Sequence, residues 1–131
     1  MSFYDLRKIT VLIVEDSVFA AKLLRQVLRG LAVGRVEQCL KPEETLKFIS
    51  DIQPDLLFLD RDMPTCDGLD VAQDVRKGES SLNPFLPIVM VSAKTKKQDI
   101  VAAREAGINE YLAKPVSSKA VYERMVACIE A

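Results

Sequence analysis

Three continuous apolar runs punctuate the chain, at 9–14 (ITVLIV), 56–59 (LLFL) and 88–91 (IVMV). None alternates apolar with polar positions, so each predicts a strand covered on both faces, as in a parallel sheet. Two weaker candidates lie at 35–40 (RVEQCL), read as an edge strand, and at 110–113 (EYLA). Between these runs the period becomes helical. Ser17 can cap a helix that carries Ala20, Leu24, Val27 and Leu31 on one face and stops near Gly30 or Gly34. Pro42 suits the first turn of a short helix, with Glu43 and Glu44 near its positive end. Asp67 can cap a helix bearing Leu69, Ala72 and Val75. Thr95 and Gln98 form a T-x-x-Q capping box ahead of Ile100 and Ala103, with Gly107 as the stop. A last helix starts near Ser117 or Ser118 and carries Val121, Met125, Cys128 and Ile129. The expected order is βα repeated five times, an α/β fold with an open, doubly wound parallel sheet and helices on both faces. The irregular stretch KGESSLNPFLP (77–87) is the longest connection, and no function is assigned to it.

In such sheets ligands bind beyond the carboxyl ends of the strands. The first strand ends in Glu15 and Asp16, the third in Asp60 with Asp62 close behind, the fourth in Ser92, and the fifth in Lys114-Pro115. Four carboxylates gathered at one rim repel each other and shift upward in pKa unless a cation intervenes. A hard divalent ion, Mg²⁺ or Mn²⁺, suits an acidic cluster with no histidine or cysteine ligand. Lys114 adds a positive charge and Ser92 a hydroxyl donor, which together describe a pocket for a phosphoryl group beside a metal. Each residue alone has a plainer reading: helix-leading acids, a strand-end turn, a solvated lysine. Their coincidence at matching strand ends favours the site.

Composition narrows the chemistry further. The 131 residues suit one domain, with 49% hydrophobic and 28% charged residues and no bias towards disorder. Eighteen basic and nineteen acidic side chains nearly cancel, so no global field favours nucleic acid or an anionic membrane. The six-residue run after MSFYDLRK is too short for a signal peptide or a membrane span, and the expected compartment is the cytoplasm. Cys39, Cys66 and Cys128 lack CxxC spacing and are expected to be reduced thiols. There is no histidine, which excludes Ser-His-Asp and Cys-His catalysis and any role as a histidine phosphodonor.

The pieces VLIVEDS (11–17), PDLLFLDRDMPTCDG (54–68), PIVMVSAK (87–94) and EYLAKPV (110–116) together resemble the receiver domain of two-component response regulators. The resemblance covers essentially the whole chain. It implies a flavodoxin-like, CheY-like sheet of five strands in the order 2-1-3-4-5 with five helices. It also implies a single receiver domain over 1–131, with a core about 8–130, and no output domain in this chain. By resemblance Asp60 is the phosphoacceptor; Asp16 binds Mg²⁺ directly, Glu15 mostly through water, Asp60 as a further ligand and Asp62 through its backbone carbonyl. Lys114 pairs with Asp60 and then with the phosphoryl group, Ser92 donates to a phosphoryl oxygen, and Tyr111 swings between outer and inner positions. Pro64 and Gly68 belong to the loop after the phosphoacceptor, and Lys114-Pro115 resembles the family's cis peptide, which only an X-Pro bond makes accessible. Asp62 and Lys94 fall where family members vary and tune phosphoryl lifetime, and they are expected to face each other across the pocket mouth. Lys94, Lys96, Lys97 and Arg104 give the fourth helix a basic end, read as a solvated face or a contact for an acidic partner helix.

The implied donor is a histidine kinase or histidine phosphotransfer protein, and the implied output a protein partner on the helix 4–strand 5–helix 5 face. The chain would be a monomer or a phosphorylation-linked dimer, would not bind nucleic acid directly, and would be no enzyme beyond its own phosphorylation and dephosphorylation. Three rivals compete. DRDMPT (60–65) partly matches the D-x-D-x-T motif of haloacid-dehalogenase-like phosphatases, in which Asp62 would be a general acid. A Toprim-like nucleic-acid enzyme also pairs an acid with a later D-x-D, but leaves Ser92 and Lys114 unexplained. A degenerate receiver acting as a binding scaffold would not need the full set of site residues.

Overall fold

The computed structural model describes residues 5–77 and 83–130. Five strands, β1 (Thr10–Val14), β2 (Arg35–Cys39), β3 (Leu56–Asp60), β4 (Ile88–Ser92) and β5 (Glu110–Ala113), form one parallel sheet in the order β2-β1-β3-β4-β5. The helices α1 (Val18–Gly30), α2 (Thr45–Ile52), α3 (Gly68–Arg76), α4 (Lys97–Glu105) and α5 (Ser118–Glu130) alternate with them. A turn of 3-10 helix, Pro42–Glu44, leads into α2, where Pro42 needs no donor. The loop 77–87 lies partly outside the described residues.

The continuous apolar runs have the expected cause. Every residue of β3 and β4 is buried, whereas the edge strands β2 and β5 expose part of their length. Alternate side chains feed two cores. Val11, Ile13, Phe58 and Val89 pack with Leu28 of α1 and Met125 of α5. Leu12, Leu57 and Met90 face the opposite way, onto Ile49 of α2, Val75 of α3 and Ala103 of α4. A one-residue slip in any central strand would exchange these two sets, so burial on both faces holds the register and keeps the strand ends level.

The helices depart from expectation in two places. The buried stripe of α1 runs through Ala21, Leu24 and Leu28, with Ala20, Val27 and Leu31 half-buried beside it. The stripe is centred about one position later than the spacing predicts, because α1 packs on both the sheet and α5. The helix ends at Gly30, as expected, and Ala32 just beyond it takes the left-handed conformation at φ 64°. Gly34 is required for a different reason: a Cβ there would overlap the Arg7 carbonyl. The T-x-x-Q box at Thr95 and Gln98 does not form. The cap falls one residue later, at Lys96, whose N–H donates to the Asp99 carboxylate at 3.2 Å. Ser17 and Asp67 do cap as expected, accepting from the Ala20 and Leu69 amides. Gly107, at φ 94°, ends α4.

Candidate functional site

The carboxyl ends of β1, β3, β4 and β5 deliver Glu15 and Asp16, Asp60, Ser92 and Lys114 to one rim. The parallel register makes this unavoidable, since every strand points the same way. Glu15, Asp60 and Ser92 are buried and Asp16 is half-buried. One carboxylate oxygen from each of Glu15, Asp16 and Asp60 lies within 4.8 Å of the other two. Burial pushes the Glu15 carboxyl up to about 8, with the neighbouring Asp60 adding to the shift and the Ser17 amide opposing it. Three hard oxygen donors under mutual repulsion fit a small divalent cation such as Mg²⁺.

Lys114 faces this cluster. Its Nζ lies 2.8 Å from Asp60 Oδ1 and 3.3 Å from Asp62 Oδ2. Partial burial would lower the lysine's pKa, but the two carboxylates outweigh it and the ammonium is held charged. The Lys114–Pro115 bond is cis. Glu15, Asp60 and Lys114 stand at one end of a cleft of about 720 Å³ that continues between α1 and the segment after β5, over Leu24, Val27 and Val116.

The loop after β3 is tied back on itself. Asp62 N–H donates to Asp60 Oδ1 at 3.1 Å, and Asp62 and Asp67 form an antiparallel bridge. Gly68 permits this closure, because a Cβ there would come 2.5 Å from the Asp60 carbonyl oxygen and 2.9 Å from Arg61 Cα. Pro64 is exposed at the loop's turn, on a shallow groove of about 690 Å³ that Asp62 and Lys94 also line.

Asp62 and Lys94 share that groove but are not each other's partners. The Asp62 carboxylate turns inward, accepting from Ser92 Oγ and Ala93 N–H, both at 2.8 Å, and pairing with Lys114. Burial would raise its pKa, but these donors prevail and hold it below the usual carboxylate value. Lys94 enters through its main chain: its N–H donates to Ser92 Oγ at 3.0 Å, and its carbonyl accepts from Tyr111 Oη at 2.7 Å. Asp62 and Lys94 line one groove, and the cation that Asp62 pairs with is Lys114.

Arg61 is not singled out by its sequence pattern. It is buried, and its Nη1 donates to the Asp99 carbonyl at 2.9 Å and to Tyr111 Oη at 3.3 Å. Its Nε has no hydrogen-bond partner and stands 3.9 Å from the Asp67 carboxylate, at the edge of ion-pair range. The available signal is a guanidinium set directly after a fully buried strand. The Ala93 amide carries no sequence signal at all.

Comparison with known proteins agrees with this arrangement. The chemotaxis protein CheY-3 of Vibrio cholerae is 25% identical over 119 residues, covering 91% of this chain and 90% of that protein. The DNA-binding response regulator MtrA of Mycobacterium tuberculosis is 31% identical over 128 residues; the match covers 94% of this chain but only 51% of the regulator. The crystal structure of the receiver domain of the histidine kinase CKI1 from Arabidopsis thaliana, complexed with Mg²⁺ and BeF₃⁻, superposes with a TM-score of 0.77. It is 26% identical and covers 92% of both chains. The family model described as the response regulator receiver domain matches residues 11–126, a span that runs from within β1 into α5, and the chain belongs to the receiver domain family of two-component signalling.

Proposed function

We propose that Asp60 accepts a phosphoryl group from a phosphohistidine on another protein, a sensor kinase or a phosphotransfer protein, in a Mg²⁺-dependent reaction. One observation carries the reading: Lys114 Nζ stands 2.8 Å from Asp60 Oδ1, while the same carboxylate belongs to the cluster with Glu15 and Asp16. The chain has no histidine, so the donor must come from outside. A carboxylate is a weak nucleophile, and its reactivity depends on placement and charge neutralisation. An Asp60 oxygen forms a bond to phosphorus as the donor's P–N bond breaks, leaving the electron pair on the imidazole nitrogen. Lys114 balances the charge gathering on the phosphoryl oxygens, and Ser92 offers its hydroxyl. Glu15, Asp16, Asp60 and the Asp62 carbonyl would hold the ion, which supplies further neutralisation of those oxygens.

The acyl phosphate would then act through Tyr111 and the 92–94 loop on the surface of α4, β5 and α5, where a protein partner docks. On this reading the chain turns over nothing beyond its own phosphoryl group. It works in the cytoplasm, where its donors carry phosphohistidine; no described helix is long and apolar enough to cross a membrane. The phosphatase alternative needs Asp62 protonated as a general acid, and the donors around Asp62 favour its ionised form. Incubation with acetyl phosphate and Mg²⁺ tests the proposal. It predicts one label per chain, located at Asp60 by peptide mapping and lost in Asp60→Asn. Continuous turnover of phosphomonoesters without stable labelling would reject it.

A further inference from the structure

The proposed chemistry gives Asp62 only a main-chain role, yet its carboxylate accepts from three donors. Ser92 Oγ reaches Oδ1 at 2.8 Å, and Ala93 N–H and Lys114 Nζ reach Oδ2 at 2.8 and 3.3 Å. A hydroxyl, a main-chain amide and an ammonium, brought from the ends of two strands to one point, make a cradle for an anion with several oxygens. A phosphoryl group on Asp60 would draw on the same place. Lys114 is already divided between Asp60 and Asp62, and two anions cannot both be fully served by it.

A second set of contacts links the cradle to the far side of the rim. Ser92 Oγ, which donates to Asp62, also accepts from the Lys94 amide. The Lys94 carbonyl in turn accepts from Tyr111 Oη, and Arg61 joins Tyr111 Oη to the Asp99 carbonyl in the first turn of α4. Asp62 therefore closes a hydrogen-bonded circuit from β3 through the 92–94 loop to Tyr111 and α4, using only the chain's own residues.

We propose that Asp62 is a built-in anion: its carboxylate fills the cradle of Ser92 Oγ, Ala93 N–H and Lys114 Nζ, latches Tyr111 onto Lys94 before Asp60 is modified, and must be displaced by a phosphoryl group on Asp60. The proposal rests on the phosphoacceptor reading only for its last clause. The receiver's output surface is then set in the unmodified chain, and phosphorylation exchanges one anion for another at a site already formed.

The test uses the full chain with Asp62→Ala, and Asp62→Asn, which keeps the volume but loses one acceptor and the charge. Without any phosphodonor, NMR hydrogen exchange should show the Ala93 amide exchanging faster in Asp62→Ala by on the order of tenfold, the scale of one charge-assisted hydrogen bond. The Tyr111 ring resonances should move, with Asp62→Asn intermediate. With acetyl phosphate and Mg²⁺, the Asp60–phosphorus bond forms as the P–O bond to acetate breaks, and label should enter Asp62→Ala faster by a similar factor. Wild-type exchange at Ala93 and unmoved Tyr111 resonances in both variants would overturn the latch. Label entering both variants no faster than wild type would overturn the displacement. If no protein is labelled at Asp60, the phosphoacceptor reading fails, and the exchange measurement still decides whether Asp62 holds the latch.

Discussion

Lys114 Nζ and Asp60 Oδ1 meet at 2.8 Å although 54 positions separate them in the chain, one carried past the end of β5 and the other closing β3. The pair is asymmetric. Asp60 is buried, and Lys114 keeps about a third of its side chain in solvent (34%). Replacing Lys114 by Met leaves the carboxylates of Asp60 and Asp62 without their shared cation. The expected cost is about 1–2 kcal/mol, below the range for a fully buried pair because solvent screens the exposed end. Urea denaturation reads that loss. The rate of labelling at Asp60 should fall at least about tenfold, as charge on the phosphoryl oxygens goes unbalanced.

Glu15 makes the metal-free fold sensitive to alkali. Its folded pKa is raised to about 8 by burial and by Asp60. A raised carboxyl stabilises the fold fully below its unfolded pKa, and that contribution is lost as pH climbs through the folded value. Metal-free protein should therefore lose stability between about pH 5 and pH 9 on account of this group, and Glu15→Gln should flatten that slope. Mg²⁺ favours the ionised form, so its binding should release protons below about pH 8. The rise in Tm on adding MgCl₂ should be larger at pH 9 than at pH 6. Calorimetry in two buffers of different ionisation enthalpy measures the protons; none released in the wild type at pH 7 would refute the assignment of Glu15.

What the sequence made legible depended on how strongly burial constrains each segment. β1, β3 and β4 are covered on both faces, so their runs are uninterrupted and their polar ends conspicuous. Asp60, Ser92 and Lys114 are readable because a charge or hydroxyl at the end of such a run is costly to bury unless a partner meets it there. The start of α4 eludes the pattern because Thr95 is not the capping residue; the cap comes from Asp99 reaching back to Lys96, a pairing that the T-x-x-Q spacing obscures. The partners of Asp62 are hidden because one of them is a backbone amide, and because loop curvature decides whether a side chain turns towards Lys94 or Lys114. Arg61 escapes for a related reason: its acceptors include the main-chain oxygen of Asp99, 38 positions away.

Gly68 should be intolerant even of a methyl group. A Cβ there meets main-chain atoms, the Asp60 carbonyl oxygen at 2.5 Å and Arg61 Cα at 2.9 Å, and main chain cannot swing aside as a side-chain tip can. Gly68→Ala should cost about 1–3 kcal/mol through overpacking. Because relief requires moving the strand end that carries Asp60, labelling at Asp60 should slow as well. Gly30→Ala is the control, with nothing within 4 Å of the added carbon. It should be neutral or slightly stabilising, since alanine is the better helix former. Equal melting temperatures for the two variants would contradict the close approach.

Arg61 joins the end of Asp60's strand to α4 without passing through the Asp62 cradle. Its Nη1 holds the Asp99 carbonyl at 2.9 Å and approaches Tyr111 Oη at 3.3 Å, while the rest of the side chain is buried. Arg61→Met keeps much of the apolar stem and removes the donor. The loss should be on the order of 1–3 kcal/mol, the range for leaving a buried polar group without its partner. It should also be local: amide exchange should quicken in the first turn of α4, around Asp99 and Ile100, and stay unchanged in α1 and α2. Arg61→Lys restores the charge but not the planar, rigidly placed guanidinium donor, so it should recover only part of the protection. If Arg61→Met loosened every helix equally, the residue would be a general core support; loosening confined to α4 identifies it as the link between Asp60's strand and that helix.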